Sequence, residues 1–377
     1  MPPRTAALGG RLPERLVRHL ITPLLRAAAP LTSPLTPDDY LGLLDPLLDA
    51  RHPAGRVTAL RAETDDATTL LIRPGRGWAG HRAGQYLPVG AQLDGSWHWR
   101  TYSLTSPPER RDGLLTITVK AVPGGRVSPY LAHRVRPGTV LRLGPAQGEF
   151  TLPPAPRPRM LMITAGSGLT PVMGLLRTLL DRGDACGHPD VVLLHSAPDA
   201  AASIFRTELR LARERLAWLR YHEHHTRATG RRLAPGDFER LCPDWRERET
   251  WACGPASLLD AIEEHWGRAG LTDRLHVERF RLTPLAPAAA TAVGGPVRFT
   301  RSGVETTTDG SEPLLEAGER AGVAMPYGCR RGICFGCLAP LTYGRIRDLR
   351  TGDIHDEPGR LLQTCVTAAV GPTALDL

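Results

Sequence analysis

Hydrophobic and polar positions change their period along this chain, and the changes divide it. Leu12, Leu16, Val17, Leu20, Ile21, Leu24 and Leu25 recur at helical spacing, with Arg11, Arg15, Arg18 and Arg26 beside them. Pro23 is set to kink or end that helix. From Arg56 to Leu152 the runs are short and alternating. Thr69–Arg73, Leu114–Val119 and Thr139–Leu143 are examples, separated by Gly and Pro, and they predict a small antiparallel β-barrel. From Arg159 to Arg281 strands alternate with helices. Met160–Thr164 is an apolar run, followed by a glycine loop and a helix that turns Val172, Leu175, Leu176, Leu179 and Leu180 inward. Val191–Leu194 is the next strand, Phe205–Leu216 a helix and Thr250–Ala252 a later strand, which together predict a parallel α/β domain. Residues 282–295 are rich in Pro, Ala and Gly and read as a linker. Beyond it, Val297–Thr300 and Val304–Thr308 predict a hairpin, and Leu314–Ala321 a short helix. The expected divisions are a helical extension over 1–50, a barrel over 51–155, an α/β domain over 156–281, the linker, and a last domain over 296–377.

Composition narrows the function. The formal charge is +8, but Lys120 is the sole lysine, and the arginines are spread along the chain with few aromatics. That pattern argues against a nucleic-acid surface and fits an acidic protein partner. No apolar run approaches a membrane span. The N-terminal amphipathic stretch has two readings: a helix packed on its neighbour, or peripheral membrane contact through residues 11–26. Arg18 and His19 interrupt its apolar part, which argues against a signal peptide. The cysteine count is seven, an odd number, so a disulfide scaffold is not expected. The expected location is the reducing cytoplasm, with the inner membrane face as the peripheral option.

Cysteine spacing carries the most specific chemistry. Cys329, Cys334 and Cys337 read C-x4-C-x2-C, and Cys365 follows downstream. This is the plant-type spacing of a [2Fe–2S] cluster, in which four thiolates bind iron. Gly332 and Gly336 let backbone N–H groups approach the sulfur atoms. A zinc site would more often show two C-x2-C pairs, and only one is present.

Two other stretches suit nucleotides. Arg100-Thr-Tyr102-Ser103 alternates so that Arg100 and Tyr102 share one strand face. A guanidinium suits a phosphate, and a phenol ring can cover a flat heterocycle. Gly124-Gly125-Arg-Val127-Ser128 follows a strand and opens a helix-like stretch whose N–H groups suit a pyrophosphate. Gly166-Ser-Gly168-Leu-Thr170-Pro171 joins a strand to a helix, where glycines admit a diphosphate. Cys253-Gly254-Pro255 ends a later strand, and His276, Glu278 and Phe280 end the domain. Taken singly, these motifs also fit an edge strand, a turn and a small buried cysteine.

In order, GQY at 84–86, RTYS at 100–103, GGRVS at 124–128, GPAQGEF at 144–150, GSGLTP at 166–171 and CGP at 253–255 resemble the ferredoxin–NAD(P)H reductase superfamily. With the C-terminal cysteines, the chain resembles reductase components fused to a plant-type ferredoxin domain. MPYGCRRGICFGC and TPDDYLGLLDPLL are most similar to actinobacterial reductases of oxygenases and fatty-acid desaturases. The resemblance implies a multidomain fold: a flavin barrel, an NAD(P) α/β domain and a β-grasp ferredoxin domain. It implies that Arg100 and Tyr102 hold the flavin, Ser103 lies near its reactive nitrogen, and Gly125, Val127 and Ser128 hold its phosphates. Gly166, Gly168, Thr170, Pro171, Gly254 and Pro255 would hold the dinucleotide, Cys253 would lie beside the nicotinamide, and Phe280 would shield the flavin. The cofactors implied are FAD, with FMN the alternative, the [2Fe–2S] cluster, and NADPH, with NADH the alternative.

In the loop after the second strand, Ser196 and Arg206 favour the extra phosphate of NADPH, whereas Asp199 favours NADH. The expected activity is electron transfer from NAD(P)H through flavin and cluster to a partner protein. The resemblance puts a membrane-bound acyl-CoA desaturase first as acceptor, and a ring-hydroxylating oxygenase or cytochrome P450 second. The reading from a different class is a redox sensor without turnover.

Overall fold

The computed structural model describes residues 37–377, apart from 51, 94–95, 154–157, 183–187, 281–293, 328–331, 333–335 and 350–351. The amphipathic stretch Leu12–Leu25 lies outside the described residues. The first described helix, α1 (Pro37–Leu44), leaves Leu43 and Leu44 exposed.

Six strands follow: β1 (Ala54–Thr64), β2 (Ala67–Pro74), β3 (Tyr86–Leu93), β4 (Ser96–Ser103), β5 (Leu115–Lys120) and β6 (Val140–Leu143). Their order is β4-β3-β6-β1-β2-β5, antiparallel throughout. Alternation turns Leu70, Ile72, Leu87, Val89, Ile117 and Leu141 into one core, which helix α2 (Val127–His133) covers with Val127 and Leu131. The sheet closes where Leu104 bridges Ile117 and the Thr105 N–H donates to the Thr116 carbonyl at 2.8 Å. Apart from that bridge, β4 and β5 share no ladder among the described residues. The barrel is therefore sealed at one point and parted along the rest of that edge.

The α/β part contains β7 (Arg159–Ala165), α3 (Leu169–Asp181), β8 (Asp190–Ala197), α4 (Arg206–Arg215), β9 (Leu219–His225), the short α5 (Thr226–Thr229), α6 (Pro235–Leu241), β10 (Glu249–Cys253), α7 (Ala256–Arg268) and β11 (Leu275–Glu278). The strand order is β11-β10-β7-β8-β9, and every neighbour is parallel. Met160, Leu161, Met162 and Ile163 are all buried, because helices cover both faces of a parallel sheet. In α3, Val172, Leu175, Leu176 and Leu179 take the inward stripe. Leu180, expected inward as well, falls at its margin in the last turn and is 38% exposed. At the N-terminal edge of the sheet, buried Arg248 bonds the carbonyls of Met160 and Asp190 and the carboxylates of Asp190 and Asp244.

The last part has β12 (Gly295–Phe299), β13 (Val304–Thr308), α8 (Leu314–Arg320), β14 (Leu338–Asp348), β15 (Ile354–His355), β16 (Leu361–Gln363) and β17 (Thr367–Leu375). β12 and β13 form the expected hairpin, although Gly295 already belongs to β12 rather than to the linker and Thr300 lies past its end. The sheet order is β13-β12-β17-β14-β15. The parallel pair β12–β17 sits among antiparallel ones, and α8 packs Leu314 and Leu315 into the core. This mixed sheet with one helix is the ferredoxin-like third part of the multidomain fold.

Candidate active site and cluster site

The chain visits β7, β8 and β9 outward on one side, then returns to β10 and β11 on the other. The crevice beyond the C-terminal ends of β7 and β10 is thus the switch point where open α/β sheets bind ligands. Both glycine loops end there. A Cβ built on Gly168 would lie 2.2 Å from the carbonyl oxygen of Cys253, so only glycine lets the two loops touch. Gly166 has φ +56°, a left-handed turn that faces open space.

Between this crevice and the parted edge of the barrel lies a cavity of about 1180 Å³. β4 contributes Arg100, Thr101, Tyr102 and Ser103. β5, the turn after it and the start of α2 contribute Lys120, Gly125, Val127 and Ser128. The α/β part contributes Ser167, Thr170, Glu278 and Phe280. Of the residues expected at the site, Arg100, Tyr102, Ser103, Gly125, Val127, Ser128, Thr170 and Phe280 line one cavity. Gly166, Gly168, Pro171, Cys253, Gly254 and Pro255 do not line it. Of these, Gly168, Cys253 and Gly254 meet where the two loops touch.

The lining has the chemistry a flavin needs. Among the described residues the buried Tyr102 hydroxyl finds no hydrogen-bond partner, and burial pushes its pKa up, so it stays protonated. A ligand that fills the cavity gives that orphaned group a partner. The Ser128 hydroxyl accepts from the Val122 N–H at 3.1 Å, which closes the turn. Cys253 is wholly buried, and burial followed by the charge of Glu278 pushes its thiol well up. It is a neutral thiol behind the site, not a thiolate within it. Glu278, at the end of β11 and in register with Cys253, lines the cavity, and burial pushes its carboxyl up to about 7. The sequence placed Glu278 at the end of the domain without assigning it a role. Only its depth, which the fold sets, marks it out.

The loop expected to choose between the nicotinamide cofactors is already knitted together. Ser196 is buried with its hydroxyl on His224 Nδ1 at 3.1 Å, and Arg206 pairs with Glu223 at 3.2 Å. Asp199 accepts from the Ala202 N–H at 2.9 Å and pairs with Arg227. The acidic group that argued for NADH is therefore occupied.

At the cluster site, Cys337 and Cys365 are both buried with their sulfurs 3.2 Å apart, and the Gly332 N–H reaches the Cys365 sulfur at 3.2 Å. Cys329 and Cys334 lie outside the described residues. Two converging buried thiols with a backbone donor fit an iron–sulfur cluster, whose sulfurs need such donors. Tyr327, two residues before Cys329, meets His98 of β4 edge-on, with ring centroids 6.2 Å apart. By alternation, His98 shares the face of Arg100 and Tyr102.

Residues 76–152 match the oxidoreductase FAD-binding domain, and residues 297–370 match the 2Fe-2S iron-sulfur cluster binding domain. The chain is 48% identical over 357 residues to an NADPH oxidoreductase of Mycobacterium tuberculosis, covering 94% of this chain and 92% of that one. The chain belongs to the family of FAD-binding, [2Fe–2S]-containing NAD(P)H oxidoreductases. A second relative of the reductase is the stachydrine N-demethylase reductase subunit of Rhizobium meliloti, 31% identical over 310 residues, with 76% of this chain and 85% of that one covered. In fold, the reductase is similar to phthalate dioxygenase reductase, with a TM-score of 0.55 at 23% identity over 86% of this chain and 97% of that one. Among the described residues, no helix of the reductase is long and apolar enough to cross a membrane.

Proposed function

We propose that this reductase feeds single electrons to a separate oxygen-activating enzyme, with NADPH as its source. The observation that carries the reading is the joining of both carrier sites through one strand. β4 brings Arg100, Tyr102 and Ser103 to the cavity and His98 to Tyr327. When bound, FAD accepts a hydride from the nicotinamide, and the [2Fe–2S] cluster carries its electrons away singly.

The chain's own residues hold and aim these groups. Arg100 offers a guanidinium to the flavin phosphate, Tyr102 offers its ring and orphaned hydroxyl, and Ser103 stands at the strand end nearest the crevice. Gly125, Val127 and Ser128 cradle the pyrophosphate. Gly166, Gly168, Thr170, Pro171, Gly254 and Pro255 shape the nicotinamide side, with Cys253 packed behind it. Phe280, which lines the cavity, would shield the flavin. Cys329, Cys334, Cys337 and Cys365 bind the iron. Asp199, Ser196 and Arg206 are all engaged and favour neither cofactor, whereas the name of the mycobacterial relative favours NADPH.

For the acceptor, similarity of the N-terminal and cysteine-loop segments to desaturase reductases favours a membrane-bound acyl-CoA desaturase. The demethylase and glycine betaine monooxygenase reductase subunits among the relatives favour the second reading, a ring-hydroxylating oxygenase or cytochrome P450. Reconstitution with each acceptor class, scored as NADPH consumed per product formed, separates the two. Cys337→Ser should abolish cytochrome c reduction, a loss of about a hundredfold or more, and leave most of the flavin-level ferricyanide reduction. Equal loss of both activities would defeat the proposed order of carriers.

A further inference from the structure

The barrel and the α/β part also meet on a second side, away from the flavin cavity. There two hydrogen bonds and one ion pair cross the seam: Arg177 to Thr105, Phe205 to Glu63, and Arg61 to Glu208 at 3.6 Å. Arg177, on the same helix α3 whose N-terminus carries Thr170 to the cavity, forms a two-pronged bond to Glu208 at 2.8 and 2.6 Å. Its remaining nitrogen donates to the carbonyl of Thr105 at 2.7 Å. Thr105 lies two residues beyond Ser103, at the point where the barrel closes. The guanidinium also lies 5.0 Å from the centre of the Phe205 ring.

Phe205 is the one non-glycine residue with positive φ, +56°, among those described. Its N–H donates across the seam to Glu63 of β1 at 3.1 Å. Glu63, only 7% exposed, is held in turn by the Thr69 hydroxyl at 2.6 Å and by Arg61 at 2.9 Å. A left-handed backbone persists in a bulky residue only where its surroundings over-determine it. Here the carboxylate on one side and the guanidinium on the other do so. The two-pronged bond joins α3 to α4 within the α/β part and fixes the angle of the guanidinium, which aims its third nitrogen across the seam at Thr105. Parts of one chain move against each other unless contacts across their seam hold them.

We propose that Arg177, with Glu208 and Glu63, is a positioning residue for hydride transfer. It bolts helix α3 to the end of β4, so that the dinucleotide loop stays in register with Ser103. This inference rests on the function proposed above. The nicotinamide carbon gives up its C–H bond and its electron pair to the flavin, and that transfer depends steeply on separation. The residues of the bolt touch neither reactant and act through the two elements that do.

The test uses the holoprotein with FAD and cluster in place. Arg177→Met keeps the volume and removes the bonds. At saturating NADPH, its limiting rate of flavin reduction should fall about tenfold or more while KM changes less than about threefold, as expected for misplacement far from the chemistry. Arg177→Lys, which keeps the charge but not the planar fork, should recover part of the rate. Amide exchange over 203–208 should rise about tenfold in Arg177→Met without a matching rise in the ferredoxin-like part. Electron delivery from chemically reduced protein to cytochrome c should not change. If Arg177→Met does not fold, Glu208→Gln carries the same expectations. Unchanged flavin reduction in a folded variant would overturn the proposal, as would a fall in rate without increased exchange. Absence of NADPH-driven flavin reduction in the unaltered protein would instead overturn the parent reading.

Discussion

The two sides of the seam between barrel and α/β part are built on opposite plans. On one side, Arg177, Glu208, Arg61 and Glu63 satisfy one another, and the backbone is fixed even at a left-handed phenylalanine. On the other, the Tyr102 hydroxyl has no partner among the described residues, the Glu278 carboxyl is desolvated by burial, and the barrel edge is parted. An unsatisfied buried polar group costs stability, and a ligand that meets the Tyr102 hydroxyl recovers that cost. The satisfied side holds the geometry, and the unsatisfied side waits for the cofactors. Rigidity and reactivity are separated across one interface.

Three changes probe that contrast. The largest effect is expected from Gly168→Ala, which forces a methyl group onto the Cys253 carbonyl. Overpacking against backbone should cost about 3 kcal/mol and part the two loops, so thermal unfolding should move down by several degrees and NADPH-driven flavin reduction should nearly vanish. A tolerated alanine with full activity would show that the loops do not need their close contact.

The next effect is pH-dependent. Burial raises the folded-state pKa of Glu278 from 4.5 to about 7, so between those values the folded protein keeps a proton that the unfolded chain has lost. Stability contributed by the neutral acid is complete below pH 4.5 and falls as pH rises through 7. Glu278→Gln should remove that fall, on the order of 2 kcal/mol after allowance for partial exposure, as read by urea denaturation of both proteins at pH 5 and pH 8. Parallel pH profiles would show that the carboxyl is not desolvated.

The smallest effect is expected from Tyr102→Phe. Removing the orphaned hydroxyl should leave the cofactor-free protein as stable as before or slightly more so, and weaken FAD binding by about 1 kcal/mol, measured by flavin fluorescence on release. An unchanged FAD affinity would mean that the hydroxyl does not meet the flavin.

Much of this was legible in the sequence because it is local. The alternation in β2, β5 and β6 and the apolar run of β7 are short-range signals, and the expected strands match to within two residues or less apart from β8, which extends three residues further at its C-terminal end. RTYS and GGRVS stayed together at one cavity because each is held on a single strand or turn. What the sequence missed depends on pairing over long range. The bond from Arg177 to Thr105 spans 72 positions, and that from Phe205 to Glu63 spans 142. Ser196 and Arg206 looked available for a phosphate until the parallel register of β8 and β9 brought His224 and Glu223 beside them. Leu180 shows that a hydrophobic letter at helical spacing does not define the edge of the buried stripe.

Strand β4 has one more consequence. His98, Arg100 and Tyr102 pair with Ala91, Val89 and Leu87, all on one side of the pleat. Inserting or deleting a single residue ahead of them would turn all three away together, since pleat direction reverses at every step. Loss of the yellow colour and uncoupling of the iron centre would then arise as a single lesion, so natural variation in this strand should conserve length more strictly than side-chain identity.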